Sequence, residues 1–173
     1  KECEAALQKQ QQLSRSLTEA VPVGIFRTDA MGRCLYVNER WCSIAGLNRE
    51  EALGYGWTTA VHVEDRERVM NEWQQAVQHQ RQFMLEYRFK TRQQITTWIL
   101  GLAQVERDQQ GEVQGYIGTI TDITLQKGKE VELAESRRLL QSIIDTAPVR
   151  IFWKDRESRF LGCNSAFAKD AGA

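Results

Sequence analysis

The stretch of sequence that decides the fold is Gly115-Tyr116-Ile117-Gly118-Thr119-Ile120-Thr121-Asp122-Ile123-Thr124. Its glycines and β-branched residues are typical of a β-strand, and we predict one strand over residues 113–123. The stretch ends in Asp-Ile-Thr, where Asp122 can accept hydrogen bonds and Thr124 can cap a following helix. It therefore predicts a closing strand that leads directly into a helix.

Two longer strands are predicted before this closing strand. Apolar residues alternate over residues 83–89, and an apolar run with a Thr-rich start covers residues 95–105. Turn residues separate the three strands, with Arg-Gln-Gln at 92–94 and Asp-Gln-Gln-Gly at 108–111. We expect three consecutive antiparallel strands.

A hairpin and several helices are predicted upstream. Two short strands, residues 25–28 and 34–37, flank the turn Asp-Ala-Met-Gly. Asn38 and Asn48 are expected to cap short helices, and residues 65–78 form the strongest amphipathic helix pattern of the chain. Two strands, helices and then three strands predict an α+β fold in which helices cover one face of the sheet.

An internal repeat divides the chain. Residues 21–46 align without gaps to residues 147–172, and ten of the 26 pairs are identical, including Pro22/Pro148, Asp29/Asp155 and Asn38/Asn164. Chance would give about one or two matches. Because the offset of 126 residues far exceeds the period of solenoid repeats, we interpret the repeat as two domains of the same kind, the second cut short.

The repeat gives a four-part layout. We assign residues 1–19 to an N-terminal amphipathic helix, 20–125 to a complete domain, 126–146 to a connecting helix and 147–173 to the start of a second domain. Both helices carry apolar residues at three- and four-residue steps, a spacing that suits pairing with another helix. Coiled-coil-type helices are thus expected on both sides of the complete domain.

Composition excludes several classes of function. The 23 Lys+Arg balance 23 Asp+Glu, and without a basic cluster we expect no nucleic-acid partner. No apolar run approaches the ~20 residues of a membrane span, so this chain should make no direct membrane contact. The four cysteines lack Cys-x-x-Cys spacing and nearby histidines, which argues against a metal site. No catalytic motif is present either, so we expect no enzymatic activity of this chain itself.

The closing strand with its Asp-Ile-Thr ending resembles the terminal motif of PAS domains. Other pieces occur in the order of that family: Tyr36-Val37-Asn38, Glu51-Ala52-Leu53-Gly54, Val61-His62-Val63-Glu64-Asp65-Arg66, Glu86-Tyr87-Arg88 and Trp98. The resemblance covers residues 20–125, and residues 151–155 and 163–167 resemble the start of a second such domain. It implies a PAS-like five-stranded antiparallel sheet with flanking helices that enclose a pocket.

The resemblance also implies a function. PAS domains are input modules of larger signalling proteins, such as sensor histidine kinases and diguanylate cyclases. We therefore expect a cytoplasmic sensory module of a protein that could be anchored to a membrane elsewhere, with a small molecule or cofactor in its pocket and a homodimer formed through the flanking helices. The alternatives are an FAD-binding redox or oxygen sensor and a ligand-free dimerisation module.

The resemblance places the pocket residues and limits the cofactor. The expected pocket set is Asn38, Trp41, Trp57, Val69, Trp73, Glu86, Ile99 and Ile120. A covalent flavin–cysteine adduct is rejected, because Trp57 occupies the cysteine position of the light-sensing branch and the polar flavin contacts fall at Glu86, Ile99 and Ile120. Haem is disfavoured, because the middle of the long helix has no histidine, and His62 and His79 flank it. FAD is the leading candidate, with Trp41 and Trp57 bordering its ring and Glu86 or Asn38 at its polar edge.

Glu86 has two interpretations. It faces inward and contacts a ligand, or it turns outward and pairs with an arginine on a neighbouring strand. Asp122 and Thr124 are interpreted as the joint that transmits a signal to the following helix. 

Overall fold

The computed structural model describes residues 22–171, with side chains through Lys169. The chain divides into two compact units, one ending at Leu125 and the other beginning at Gln126. The N-terminal helix predicted within residues 1–19 lies outside the described residues. Within residues 22–171, no helix combines the length and the apolar composition needed to cross a membrane.

The first unit is built on a five-stranded antiparallel sheet with the strand order β2-β1-β5-β4-β3. The strands are β1 (Gly24–Asp29), β2 (Cys34–Val37), β3 (Phe83–Lys90), β4 (Thr96–Arg107) and β5 (Val113–Asp122). The closing strand β5 is the central one, because it pairs with β1 on one side and with β4 on the other. The five-stranded antiparallel sheet predicted from the sequence is confirmed.

Short helices connect β2 to β3. They are α1 (Glu39–Ala45), α2 (Arg49–Ala52), a 3-10 turn (Gly56–Ala60) and the long α3 (Val63–Gln78). Asn38 and Asn48 cap α1 and α2 as predicted, and Asn48 forms a reciprocal capping box with Glu51. The long helix begins two residues before its predicted start, because the His62 imidazole accepts the Glu64 N–H and caps the first turn.

The core lies between these helices and one face of the sheet. Register decides which strand residues belong to that inner face: Gly101 and Gly24 both pair with Ile120, and Tyr87 pairs with Ile99. The helices contribute Trp41, Ile44, Val69, Trp73 and Ala76, all buried. The α+β arrangement with helices on one face is therefore as the element order predicts.

The second unit repeats local geometry of the first. It contains most of the helix α4 (Thr124–Thr146), the hairpin β6 (Phe152–Lys154) and β7 (Phe160–Cys163), and α5 (Ser165–Ala171). Asn164 accepts the Ile151 and Phe167 N–H groups and donates to Val149. Asn38 makes the same three bonds 126 positions earlier, to Ile25, Trp41 and Val23. The repeat seen in the sequence is thus also a repeat of hydrogen bonds.

Candidate functional site

A cavity lies between the inner face of the sheet and the helices of the first unit. Seven of its ten lining side chains are aromatic; the full set is Phe26, Thr28, Cys34, Trp41, Trp57, Trp73, Phe83, Tyr87, Phe89 and Ile120. The volume open to the centres of water molecules is about 30 Å³. This is room for about two water molecules. The site is a narrow aromatic cavity.

Trp73 of α3 organises the aromatic wall. Its ring makes edge-to-face contacts with Tyr116 and Phe83, with centroid separations of 5.2 and 5.3 Å, and with Phe26 and Trp57 at 6.2 and 6.4 Å. Such edge-to-face pairs are the favoured geometry of aromatic rings. The wall is therefore a rigid packed unit in which movement of one ring affects its neighbours.

The first hairpin is fastened to this wall through Trp73. The indole Nε1–H donates to the Gly32 carbonyl at 3.0 Å. Gly32 has a φ of +79°, and a Cβ at this position would lie 2.8 Å from the indole nitrogen. Both the left-handed backbone and the close approach require glycine in this turn.

Two of the three polar lining residues hydrogen-bond to the backbone. The Thr28 hydroxyl donates to the Asp29 carbonyl at 3.0 Å and accepts the Tyr116 N–H at 3.2 Å. The Cys34 thiol donates to the Tyr36 carbonyl at 3.7 Å. Burial raises the pKa of this thiol to about 11, so it stays protonated and is a poor nucleophile at neutral pH.

Tyr87 is the third polar lining residue, and it differs from the other two. Its side chain is 4% exposed, and its hydroxyl makes no hydrogen bond to any residue in the described part of the chain. The ring extends over Gly101, where a Cβ would lie 3.2 Å from the hydroxyl oxygen. Burial raises the pKa of Tyr87, which keeps the hydroxyl protonated and able to donate.

Half of the eight predicted pocket residues line the cavity. Trp41, Trp57, Trp73 and Ile120 belong to its wall. Val69 and Ile99 are fully buried but pack in the core beside it. Asn38 is also fully buried, and its amide bonds to the backbone around α1, so it positions Trp41 rather than lining the cavity.

Glu86 lies on the outer face of the sheet, so the interpretation that it faces inward and contacts a ligand is wrong. It is exposed, whereas Phe83, Tyr87 and Phe89 on the same strand are buried. The alternation along β3 gives the signal, because its odd-numbered positions are all aromatic or aliphatic and the even-numbered ones include Glu86, Arg88 and Lys90. Successive side chains of a strand point to opposite faces, so this pattern places Glu86 with the polar set.

The same alternation could have found lining residues that the sequence reasoning missed. The missed residues are Phe26, Thr28, Cys34, Phe83, Tyr87 and Phe89. Three of them are the aromatic odd-numbered residues of β3, which period-two reasoning places on one face. The three on β1 and β2 carry weaker signals, because those strands are short.

Neither cofactor considered from the sequence fits this cavity. Ligand pockets commonly measure about 300–1,000 Å³, and the space here cannot hold a flavin ring without displacing the aromatic wall. Ile99 and Ile120 offer no polar contact and Glu86 faces away. No histidine belongs to the lining set, so the described residues offer no axial imidazole to haem iron at this place.

The closing strand joins the start of α4 through specific hydrogen bonds. The Asp122 carboxylate accepts the Thr124 N–H at 2.9 Å, and the Thr124 hydroxyl accepts the Trp98 N–H at 2.9 Å. The Ile123 N–H also donates to the Trp98 carbonyl at 2.9 Å. The prediction that Thr124 caps the helix is therefore corrected: Asp122 supplies the capping acceptor, because α4 already includes Thr124, whose hydroxyl is taken by β4.

A partly buried ion pair connects α3 to the neighbouring strands. The Asp65 carboxylate accepts the Arg88 backbone N–H at 2.9 Å and the guanidinium at 2.8 and 2.9 Å. Hydrogen bonds from the Arg88 side chain hold the pKa of Asp65 below its usual value, against the opposing effect of burial. The Arg88 guanidinium also lies over the Trp98 ring, 5.5 Å from its centroid. Contacts thus run from α3 through Arg88 to Trp98 and the start of α4.

Comparison with known proteins places this geometry in a family. The sequence profile of the PAS fold family matches residues 34–120. An uncharacterised protein of Sinorhizobium fredii is 32% identical over 149 residues, which is 86% of this chain and 18% of that protein. The peroxide stress-activated histidine kinase of Schizosaccharomyces pombe is 29% identical over 82% of this chain and 10% of its own length.

A solved structure agrees with the sequence comparison. The N-terminal domain of a diguanylate cyclase with PAS/PAC sensor from Marinobacter aquaeolei is 25% identical, with a TM-score of 0.55 over 61% of this chain and 98% of that one. The chain thus spans less than a fifth of the two full-length relatives but nearly all of the solved domain.

Proposed function

This chain belongs to the PAS fold family, and from that premise we propose that it is a cytoplasmic sensory input module of a larger signal-transduction protein, of the histidine kinase or diguanylate cyclase type. PAS domains occur in proteins of both types among its relatives. In this proposal the cavity holds a small molecule, and the first unit passes the state of the cavity to α4. The chain itself carries no catalysis; its output lies in another part of the protein.

One observation carries the proposal. Ile120 lines the cavity, and only three residues separate it from Thr124, where α4 begins. Ile120 lies on the central strand β5, which pairs with both neighbours, so a shift of this strand must be shared by β1 and β4. Packed elements of this kind change between discrete arrangements rather than deforming continuously. A change at the cavity therefore has a short covalent path to the helix.

Homodimerisation through the flanking helices is part of the same proposal. Leu133, Leu140 and Ile143 lie on α4 at seven- and three-residue spacing and are 53%, 56% and 57% exposed. This spacing supports pairing with a second copy of the helix. The same observation favours the second candidate, a ligand-free dimerisation module, whose cavity would hold only water.

Native mass spectrometry and hydrogen exchange test the proposal. We expect protein purified from cells to carry a mass above that of the polypeptide, which unfolding releases. Hydrogen exchange should then differ between loaded and stripped protein both at the cavity wall and in the first turns of α4. Asp122→Ala should retain the difference at the wall and lose it in α4, because the joint no longer fixes the helix start.

A matched control is available in the turn between β4 and β5. Asp108 also accepts backbone N–H groups, from Gln110 and Glu112 at 2.9 Å, but lies away from the joint in sequence. Asp108→Ala should leave the coupling intact. Protein that carries no added mass and binds nothing from a metabolite extract would support the dimerisation module instead. A flavin band at about 450 nm would support the FAD sensor.

A further inference from the structure

The Tyr87 hydroxyl is a donor with no acceptor in the described part of the chain. The other buried tyrosine among the described residues has one, because the Tyr116 hydroxyl donates to the Ala76 carbonyl at 3.0 Å. Burying a hydroxyl without a partner costs about 1–3 kcal/mol, so an apolar Phe would be the more stable residue here. The chain instead retains a hydroxyl inside an aromatic wall.

The hydroxyl faces space that a small molecule can reach. Within residues 22–169, every side-chain nitrogen or oxygen that is closed to a small molecule makes a hydrogen bond. The Tyr87 oxygen makes none, so it must be open to a small molecule. Because the residue is only 4% exposed and lines the cavity, the space it reaches is the cavity. A hydrogen-bond donor thus points at a site with room for an acceptor.

The rest of the wall selects against charge. None of the ten lining residues is acidic, basic or histidine. An ion moved from water into such surroundings loses its hydration without gaining a counter-charge. The Thr28 hydroxyl and the Cys34 thiol donate to backbone carbonyls, so Tyr87 supplies the free hydroxyl donor of the wall.

We propose that the cavity binds a small uncharged molecule of about four non-hydrogen atoms, held by a hydrogen bond from Tyr87 to a carbonyl-type oxygen. The size follows from a space that holds about two water molecules, which together take about 60 Å³ in the liquid, because covalently bonded atoms pack more closely than separate waters. The aromatic wall contacts the apolar part of the ligand, and the Tyr87 hydroxyl fixes its orientation. This inference rests on the proposed function, since it names the class of molecule that the sensory cavity takes.

Three molecules of nearly the same shape test the charge and the acceptor together. Acetamide is neutral, acetate is its anionic counterpart and acetamidinium its cationic one. In ¹H–¹⁵N spectra of the full chain, we expect acetamide to shift the indole signals of Trp41, Trp57 and Trp73 saturably. Acetate and acetamidinium should not shift them at equal concentration. Equal shifts from all three would overturn the proposal.

Variants test the role of the hydroxyl. Tyr87→Phe keeps the ring and should raise the Kd for acetamide about fivefold, the effect of one lost hydrogen bond. Tyr55→Phe is the matched control, because its hydroxyl donates to the Met31 carbonyl outside the cavity; it should leave the Kd unchanged. Unchanged binding by Tyr87→Phe would overturn the role of Tyr87.

The outcomes separate this inference from the proposed function. Acetamide that fails to bind, while the purified protein carries another molecule that alters exchange in α4, refutes the ligand class and leaves the sensory function standing. Acetamide that binds without altering exchange in α4 supports the ligand class and contradicts the relay.

Discussion

Two buried tyrosines of the same core give a matched pair of mutations with opposite expected effects on stability. Tyr116 is fully buried, and its hydroxyl donates to the Ala76 carbonyl at 3.0 Å. Tyr87 is 4% exposed, and its hydroxyl has no hydrogen-bonding partner among the described residues. Each change to Phe removes one oxygen and leaves the aromatic ring in place. The pair therefore isolates the hydrogen bond from the packing.

The structure sets the size of each effect. Tyr116→Phe loses one hydrogen bond, but the Ala76 carbonyl keeps the Arg81 N–H at 3.0 Å, so the loss should be about 1 kcal/mol. Tyr87→Phe removes an unpaired hydroxyl, whose burial costs about 1–3 kcal/mol; contact with water in the cavity reduces this. We expect a gain of about 1 kcal/mol in the free energy of unfolding.

Urea unfolding, followed by the fluorescence of the buried tryptophans, measures both effects. The midpoint should rise for Tyr87→Phe and fall for Tyr116→Phe, with unchanged slopes. In thermal unfolding, 1 kcal/mol corresponds to a shift of about 4–8 °C for a domain of this size. A fall for Tyr87→Phe as large as that for Tyr116→Phe would refute the reasoning, because it would show that the Tyr87 hydroxyl is satisfied without a ligand.

Two further predictions concern ionisable groups. Asp65→Asn should lower the free energy of unfolding by about 1 kcal/mol at neutral pH, because the partly buried Arg88 loses the Asp65 carboxylate and keeps only that of the exposed Glu64. The folded-state pKa of Asp65 lies below 3.8. The stabilisation by its carboxylate is therefore present above pH 3.8 and is lost as the pH falls through the folded-state pKa. In urea titrations at pH 7 and at progressively lower pH, the unfolding free energies of wild type and variant should converge. Cys34 should resist iodoacetamide at pH 8, as measured by peptide mass spectrometry, because its pKa is raised to about 11 and little thiolate forms. For the same reason wild type should lose stability relative to Cys34→Ala as the pH rises from about 9 to 11, since the folded state binds the proton more tightly.

Each of these has an outcome that contradicts it. A difference between wild type and Asp65→Asn that does not change with pH would mean that the ion pair does not set the pKa of Asp65. Rapid alkylation of Cys34 in folded protein would mean that the cavity wall opens and admits the reagent.

The sequence predicts the helices and strands of this chain more accurately than the side chains that line the cavity. Turn and cap residues act locally, which is why the sequence alone identifies Asn38 and Asn48 as helix caps. The inward face of β3 could also have been predicted, because Phe83 and Tyr87 alternate with Glu86.

Other features of the site have no local signal. Tyr87 extends over Gly101 because β3 and β4 pair in one particular register, in which Leu85 lies opposite Gly101. Thr124 binds the Trp98 backbone rather than capping its own helix because β4 passes beside the end of β5. Both contacts join residues that are distant in sequence, and the local sequence around Tyr87 or Thr124 does not indicate which residue it will contact.

The sequence by itself determined the α+β fold, the strand that leads into a helix, the repeat at 126 residues and the aromatic character of the interior. These properties follow from periodicity, turn chemistry and composition, which act over a few residues at a time. Only the tertiary structure decided the size of the cavity, the outward direction of Glu86 and the unpaired hydroxyl of Tyr87. These depend on strand register and on how closely rings from separate elements pack, and such packing is a property of the assembled core.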